Sequence, residues 1–275
     1  MDFKEEVMEL LDISFIRNAI IGGVLLSLLL SVLSLFIVIK KWSFINIGIS
    51  HAAFGGLAIG FVAGISPSLT GSLFAVFIGL LIGYISKKGN IHEDISIGIL
   101  LSMSMALGVI VITFAPNYNS DLFAFLFGNI LTITDEDIYI LLLFSIFTFI
   151  FLWLSFKKIL YCCFDEELAY ISGINTNFYY YMMITILAIA TVLSIKLVGT
   201  ILSSAMMILP AAVSSQIFWH YKKILISSVI ISLIMVLLGI FVSFEYNLPS
   251  GATIVLIYSI VFFIVFIFRK IVIKD

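Results

Sequence analysis

The sequence predicts an all-α fold, a polytopic transmembrane helical bundle of about eight to nine spans. Of the 275 residues, 63% are hydrophobic and only 11% are charged, whereas roughly a quarter of the residues of soluble domains carry charge. The mean hydropathy is +1.26. Because a spanning helix needs about 20 mostly apolar residues, the chain has room for a set of spans joined by short loops and for little else.

Nine apolar runs, each bounded by charged or turn-forming residues, are the predicted spans. A further apolar stretch at 122–134 is too short to cross and is expected to be re-entrant or interfacial. The acidic segment 1–15 lacks the positive start of a secretory signal and predicts a short amphipathic helix at the membrane surface. Residues 16–275 then form one transmembrane domain. The runs are 16–39, 45–65, 68–86, 95–114, 137–156, 177–195, 198–218, 224–243 and 252–268.

The basic residues predict the orientation, because cytoplasmic loops carry an excess of Lys and Arg. With the N-terminus outside, eleven of the fourteen basic residues fall in inside loops, and only Lys4, Arg17 and Lys196 fall outside. Adding or removing one span would destroy this asymmetry. The C-terminus is therefore predicted to be cytoplasmic.

Two runs contain residues that predict particular helix packing. Gly56, Gly60 and Gly64 in the second run form a small-residue stripe that allows helices to approach closely. Packing within one chain is the first interpretation, and a dimer seam is the alternative. Pro210 lies inside the seventh run, where neighbours must satisfy the carbonyl that proline leaves without its helical partner.

His51 is the candidate for chemistry inside the membrane. No Asp, Glu, Lys or Arg occurs between Trp42 and Ser86, and His51 is the only histidine there. Ionisable residues within spans are functional candidates by default, and neutral imidazole is a common metal ligand. Asn46 and Ser50 share roughly one helix face with it and are weaker candidates. The alternative is a histidine that serves packing alone.

One histidine does not complete a metal site, because zinc usually takes four ligands. A two-fold dimer would bring two copies of His51 together. The adjacent Cys162 and Cys163 form no metal-binding spacing and are interpreted as packing residues.

The segment FDEELAYISGI, residues 164–174, is the longest inside connection between spans. Its run of Asp165, Glu166 and Glu167 suits the positive N-terminal end of a helix. Gly173 is a plausible C-cap. These features predict a short helix near 164–174, with a solvated connector as the alternative.

Several function classes receive no support from the sequence. The chain contains no G-x-x-x-x-G-K-[ST] phosphate-binding loop and no H-E-x-x-H motif, so it is not expected to be an enzyme, and ATP-driven transport would need a separate ATPase chain. The net charge of −2 gives no indication of nucleic-acid binding. An ion-coupled secondary metal transporter or a channel remains the alternative, although the runs hold no carboxylates suited to proton coupling or cation selectivity.

Six separated segments carry a resemblance to a known family. In their order and spacing, the chain from residue 16 onward resembles the permease subunits of metal-specific ABC importers. The segments are SFINIGISHAAFGG (43–56), HEDISIGIL (92–100), DLFAFLFGNIL (121–131), FDEELAYISGI (164–174), KLVGTILSSAMMILPAAVSS (196–215) and NLPSGA (247–252).

The resemblance implies partners and a location. These are a second copy of the chain, a cytoplasmic ABC ATPase dimer, an extracytoplasmic metal-binding protein and the lipid of the bacterial cytoplasmic (inner) membrane. The family's acidic coupling-helix motif, which implies the ATPase docking element, matches Asp165, Glu166, Glu167, Leu168, Ala169 and Gly173.

The resemblance also bears on the cargo. The family's second span usually has an aspartate followed by serine and histidine. Ser50 and His51 match, but Ile47 occupies the aspartate position and Gly55 a position where proline is common. Because manganese favours oxygen ligands more than zinc does, Zn²⁺ is the first expectation, with Mn²⁺ or chelated iron as alternatives and no permanently bound cofactor.

Overall fold

The computed structural model describes residues 14–89, 91–114 and 133–272. Within these ranges the chain forms nine helices and no strand. The predicted surface helix at 1–15, the stretch 122–134 and the segment 121–131 lie almost entirely outside the described residues. The helices are α1 Ser14–Lys40, α2 Ile45–Ala63, α3 Pro67–Gly89, α4 Glu93–Ile112, α5 Asp135–Phe164, α6 Glu166–Ile171, α7 Thr176–Ile217, α8 Tyr221–Glu245 and α9 Ser250–Val272.

Eight of these helices, all except α6, are long and apolar enough to cross a membrane. The predicted all-α bundle of about eight to nine spans is therefore confirmed. The longest segment, α7, has 42 residues and joins two helices across a kink, so it is long enough for two spans of about 20 residues each. Gly199 interrupts it with φ 83° and ψ 170°, a conformation that glycine adopts without steric cost. The predicted spans 177–195 and 198–218 thus correspond to the two helices of α7, with the kink at Gly199 close to their boundary.

The helix α5 extends further than the apolar run that predicted it. The run ends at residue 156, whereas the helix ends at Phe164. Lys157 and Lys158 end the apolar sequence but not the helical backbone, because lysine is a good helix former. Cys162 and Cys163 consequently lie in the last turn of α5, both as free thiols.

The chain divides into two compact units. The first unit consists of residues 1–35, 128–150 and 197–275, and the second of residues 36–127 and 151–196. Three helices, α1, α5 and α7, contribute residues to both units.

Polar contacts join the helices of the first unit at several levels. Asn18 Nδ2 of α1 donates to Asp135 Oδ1 of α5 at 2.9 Å. Near the C-terminal ends of α9 and α7, Arg269 Nη1 donates to Gln216 Oε1 at 2.7 Å. Tyr258 of α9 is completely buried. The interior of this unit is therefore built from an apolar core with a few defined polar links.

Backbone contact between α2 and its neighbours organises the second unit. A Cβ atom at Gly56 would lie 2.7 Å from the carbonyl oxygen of Thr70 in α3, and one at Gly55 would lie 2.8 Å from the carbonyl oxygen of Ser104 in α4. A Cβ at Gly60 would lie 2.8 Å from Cα of Pro67. Since real Cβ atoms do not approach so closely, only glycine permits this packing.

Gly64 and Pro210 are the other two residues for which the sequence predicted particular helix packing. Gly64 differs from Gly56 and Gly60, because it is the C-cap of α2 with φ 67°. No described atom lies within 4 Å of the position of a Cβ there. Gly64 therefore ends the helix rather than packing against another. Pro210 is buried within the second half of α7.

Candidate functional site

The three polar residues of α2 lie in different environments. Asn46 and Ser50 are buried, each with 1% of its surface exposed, whereas His51 is half-buried. Asn46 Oδ1 accepts a hydrogen bond from Thr191 Oγ1 of α7 at 2.5 Å. Asn46 therefore links two helices of the second unit, which leaves Ser50 and His51 as the pair with a partly accessible group.

Hydrogen bonding between these two residues determines which imidazole nitrogen is available. Ser50 Oγ donates to the carbonyl oxygen of Ile47 at 2.9 Å and lies 3.2 Å from His51 Nδ1. A hydroxyl has one proton, so both contacts are satisfied in the tautomer in which Ser50 donates to Ile47 and Nδ1–H of His51 donates to Ser50 Oγ. This tautomer leaves the Nε2 lone pair free, and a lone pair on neutral imidazole is what a metal ion binds.

No complete metal site exists within one chain over the described residues. Residues 14–89, 91–114 and 133–272 contain no group of three or more His, Cys, Asp or Glu side chains that could hold a metal ion. Within the described residues, His51 therefore has no second or third side chain of these types beside it with which to hold a metal ion.

Asp165 caps the N-terminus of the short helix α6. Its backbone is extended, and its carboxylate accepts hydrogen bonds from the backbone N–H groups of Glu167 at 3.0 Å and Leu168 at 2.9 Å. This is the geometry of an N-cap. Asp165 was predicted as part of the docking motif, and in the structure it stabilises the helix that carries the motif.

Gly173 ends the same helix. It has φ 79°, and its N–H donates to the carbonyl of Tyr170 at 2.9 Å, while the N–H of Ile174 donates to the carbonyl of Ala169 at 3.1 Å. This pair of bonds is a Schellman motif, which requires a residue that accepts positive φ. The six-residue helix is thus defined at both ends by its own sequence.

Glu166 points away from the exposed side of α6 and toward other helices of the second unit. Its Oε2 lies 3.3 Å from Lys40 Nζ at the end of α1, and its Oε1 accepts a short hydrogen bond from Lys87 Nζ near the end of α3. Lys87 also donates to Asn177 Oδ1 at 2.8 Å, and its Nζ lies 4.3 Å from the centroid of the Tyr180 ring. We call these five residues the Glu166 cluster.

The two lysines of the Glu166 cluster change the pKa of the Glu166 carboxyl group. Burial is the largest single influence and raises the pKa of Glu166, but the hydrogen bonds and charges of Lys87 and Lys40 together outweigh it, so that the pKa is lowered from its ordinary value of 4.5. In the sequence, Lys40 and Lys87 predict only the orientation of the chain. Their positions at the predicted cytoplasmic ends of two spans are the one indication that they could meet an acidic loop.

The opposite side of α6 is exposed and largely apolar. Leu168, Tyr170 and Ile171 expose 52%, 70% and 76% of their surfaces, while Ala169 between them is completely buried. Glu167 is also exposed. Exposed apolar residues with a charged neighbour are typical of a surface that contacts another protein.

The chain is similar to proteins that transport metals. Its residues 12–269 match the ABC 3 transport family. It is 32% identical over 259 residues to the manganese transport system membrane protein MntC of Listeria monocytogenes, covering 94% of this chain and 92% of that protein. It is also 32% identical over 263 residues to the manganese import system permease protein ScaB of Streptococcus gordonii, covering 96% and 94%.

A solved structure shares the fold. A chain of PsaBC from Streptococcus pneumoniae in complex with Fab superposes with a TM-score of 0.82 at 33% sequence identity, over 96% of this chain and 95% of that chain. The agreement extends over nearly the whole length, so the helices that carry His51 and the Glu166 cluster belong to a shared architecture.

Glu166→Gln is expected to destabilise the chain, because glutamine keeps the shape of the side chain but leaves two lysines without their carboxylate. Both partners are partly exposed, so the loss is about 1 kcal/mol at most. Thermal unfolding of the purified protein in detergent measures it, and Glu167→Gln, on the exposed side of α6, is the control with no expected change.

The pH dependence follows from the direction of the pKa shift. A lowered pKa in the folded chain means that the stabilisation is complete above the unfolded pKa and is lost as the pH falls through the folded pKa. The difference in stability between wild type and Glu166→Gln should therefore stay constant from neutral pH down to about pH 5.5. It should shrink below pH 4.5, the ordinary pKa of a glutamate side chain. Equal destabilisation by Glu167→Gln would contradict this assignment.

Proposed function

The chain belongs to the ABC 3 transport family and is a permease subunit of an ABC metal importer, and we propose that two copies of it form a pore for a divalent first-row metal ion, Mn²⁺ in the first place. A cytoplasmic ABC ATPase dimer would drive the transport, and an extracytoplasmic metal-binding protein would deliver the ion. The observation that carries the proposal is the half-buried His51 on the charge-free helix α2, in a chain related over most of its length to manganese permeases.

The relatives support manganese as the cargo. MntC and ScaB are both named for manganese, whereas the expectation of zinc depended on Ile47 in place of an aspartate in the second span. A transported ion has to leave its site as readily as it enters. A site with a single imidazole from each chain would leave further positions to water, whose oxygen is a ligand that suits manganese. The names of the relatives, and not the imidazoles, favour manganese over zinc.

The incomplete ligand set supports a dimeric pore. The described residues of one chain include His51 and Ser50 but no cluster of His, Cys, Asp or Glu side chains that could hold a metal ion. Two-fold symmetry would supply a second imidazole from the same position.

The exposed side of α6 supports a docking role. Leu168, Tyr170 and Ile171 form an accessible apolar surface, and Glu166 ties the same helix to α1 and α3. A partner bound to the outer side of α6 would therefore act on the ends of two spans through one carboxylate.

Metal accumulation in cells tests the cargo and the energy source together. A bacterial strain without its own manganese importers, expressing this chain with its ATPase and its binding protein, should accumulate Mn, as measured by elemental mass spectrometry. Replacing the phosphate-loop lysine of the ATPase, or omitting the binding protein at submicromolar Mn²⁺, should abolish the uptake. Accumulation of Zn or Fe instead would overturn the assignment of manganese, and uptake that survives ATPase inactivation would favour a carrier or a channel.

His51→Ala should lower Mn uptake at least about tenfold, the lower end of the effect of changing groups around a bound metal, while expression and assembly stay normal. His92→Ala is the matched control, because His92 precedes α4 and its side chain makes no capping hydrogen bond. Normal uptake by a well-expressed His51→Ala variant would exclude His51 from the transport path.

Leu168→Asp should prevent the ATPase from co-purifying with the chain, since it places a charge in the proposed docking surface. Leu168 is 52% exposed, so the stability of the isolated chain should change little. Ile271→Asp, on a residue 67% exposed at the end of α9, is the control. Native mass spectrometry of the wild-type complex should give two copies of each subunit, and retention of the ATPase by Leu168→Asp would remove α6 as the docking element.

A further inference from the structure

An open groove lies between the C-terminal end of α3 and the N-terminal end of α7. Its volume is about 590 Å³. Beside the groove the two helices are in close contact at Gly83, where a Cβ atom would lie 2.7 Å from Cδ1 of Ile184 and 2.9 Å from Cε1 of Tyr180. The residues that line it are Tyr84, Lys87, Lys88, Glu166, Asn177 and Tyr181.

The groove has an excess of positive charge. Lys87 is held in place by Glu166 and Asn177, and Glu166 is shared with a second lysine, Lys40. The ammonium of Lys88 forms no salt bridge with any carboxylate of the described residues, and it lies 5.7 Å from the centroid of the Tyr84 ring. An anion in the groove would therefore meet one fixed ammonium group and one that has no carboxylate partner.

An exposed apolar stripe leads from this groove along α3. Leu69, Leu73 and Phe77 expose 56%, 64% and 58% of their surfaces, and Tyr84 exposes 52%. Successive spacings of four, four and seven residues place these four side chains on one face of the helix, which continues to Lys88. The stripe belongs to the spanning segment Leu69–Gly89.

We propose that the groove binds the headgroup of an anionic phospholipid of the cytoplasmic leaflet, with its acyl chains along the stripe of α3. The ligand must be amphipathic, because a basic groove and an apolar face adjoin each other within one span. Basic pockets between helices on the cytoplasmic side attract anionic headgroups, and tyrosine side chains suit the depth of the headgroups. A soluble protein partner would fit the groove but would not reach a stripe that lies inside the bilayer.

The proposal concerns the membrane-embedded chain and does not depend on which metal is transported. It does place the lipid beside α6, because Lys87 belongs both to the groove and to the Glu166 cluster. A headgroup phosphate near Lys88 would also lie near the lysine that anchors α6.

Native mass spectrometry of the detergent-purified full chain tests the site, with phosphatidylglycerol and phosphatidylcholine of identical acyl chains as probes. We expect phosphatidylglycerol to be retained in preference to phosphatidylcholine. Lys88→Gln should lower the affinity for phosphatidylglycerol about fivefold, the factor expected for one lysine near an anionic lipid, and Lys88→Arg should preserve it. Raising the ionic strength should weaken the preference.

Lys223→Gln is the matched control, because Lys223 is an exposed lysine at the start of α8, on the same predicted side of the membrane. This variant should bind phosphatidylglycerol like the wild type. Equal retention of the two lipids, unchanged affinity of Lys88→Gln, or an equal loss in Lys223→Gln would show non-specific lipid contact and overturn the proposal. Displacement of the lipid by millimolar inorganic phosphate would assign the groove to free phosphate and overturn it as well.

Discussion

Polar groups within the spans must find partners inside the protein, because the hydrocarbon core of the bilayer contains no water to hydrogen-bond them. This constraint accounts for the purely helical backbone of the described residues. It also explains how many of the serines are tolerated, whereas the hydroxyls of Ser86, Ser96 and Ser145 are buried without a hydrogen-bond partner among the described residues. Ser27, Ser31 and Ser104, for example, donate to carbonyl groups three or four residues earlier in their own helices. Asn46 and Asn18 are different, because their amides bond to other helices and so fix which helices are neighbours.

The same constraint gives His51 its significance. An imidazole without a partner would be costly within a span, and Ser50 satisfies only Nδ1. The other nitrogen is left to water or to an ion. In the proposed pore, a passing ion would exchange part of its hydration for this one half-exposed ligand on a helix without charge. A closed site with four protein ligands would hold the ion too tightly to release it.

The sequence predicts the parts of the structure that depend on local patterns. Hydropathy identifies the spans, and Asp165 and Gly173 define α6 because an N-cap and a left-handed residue act within a few positions. Local patterns also mislead, as at the end of α5, where lysines end the apolar run but not the helix. Contacts between residues far apart in the sequence cannot be predicted from local patterns. Glu166 lies 126 and 79 positions from Lys40 and Lys87. The family resemblance implied a docking role for its motif, but no local pattern predicted its contacts with the ends of two spans.

Within the second unit, these contacts form a continuous route from α6 to the helix of His51. The carboxylate of Glu166 holds Lys87 of α3, and α3 touches α2 through backbone atoms at Gly56 and Thr70. The carboxylate of Glu166 therefore connects α6 to the end of α3, and α3 is packed closely against α2, the helix that carries His51. The small residues that allow close packing in the membrane thus also place the helix of His51 directly against the helix that Glu166 holds.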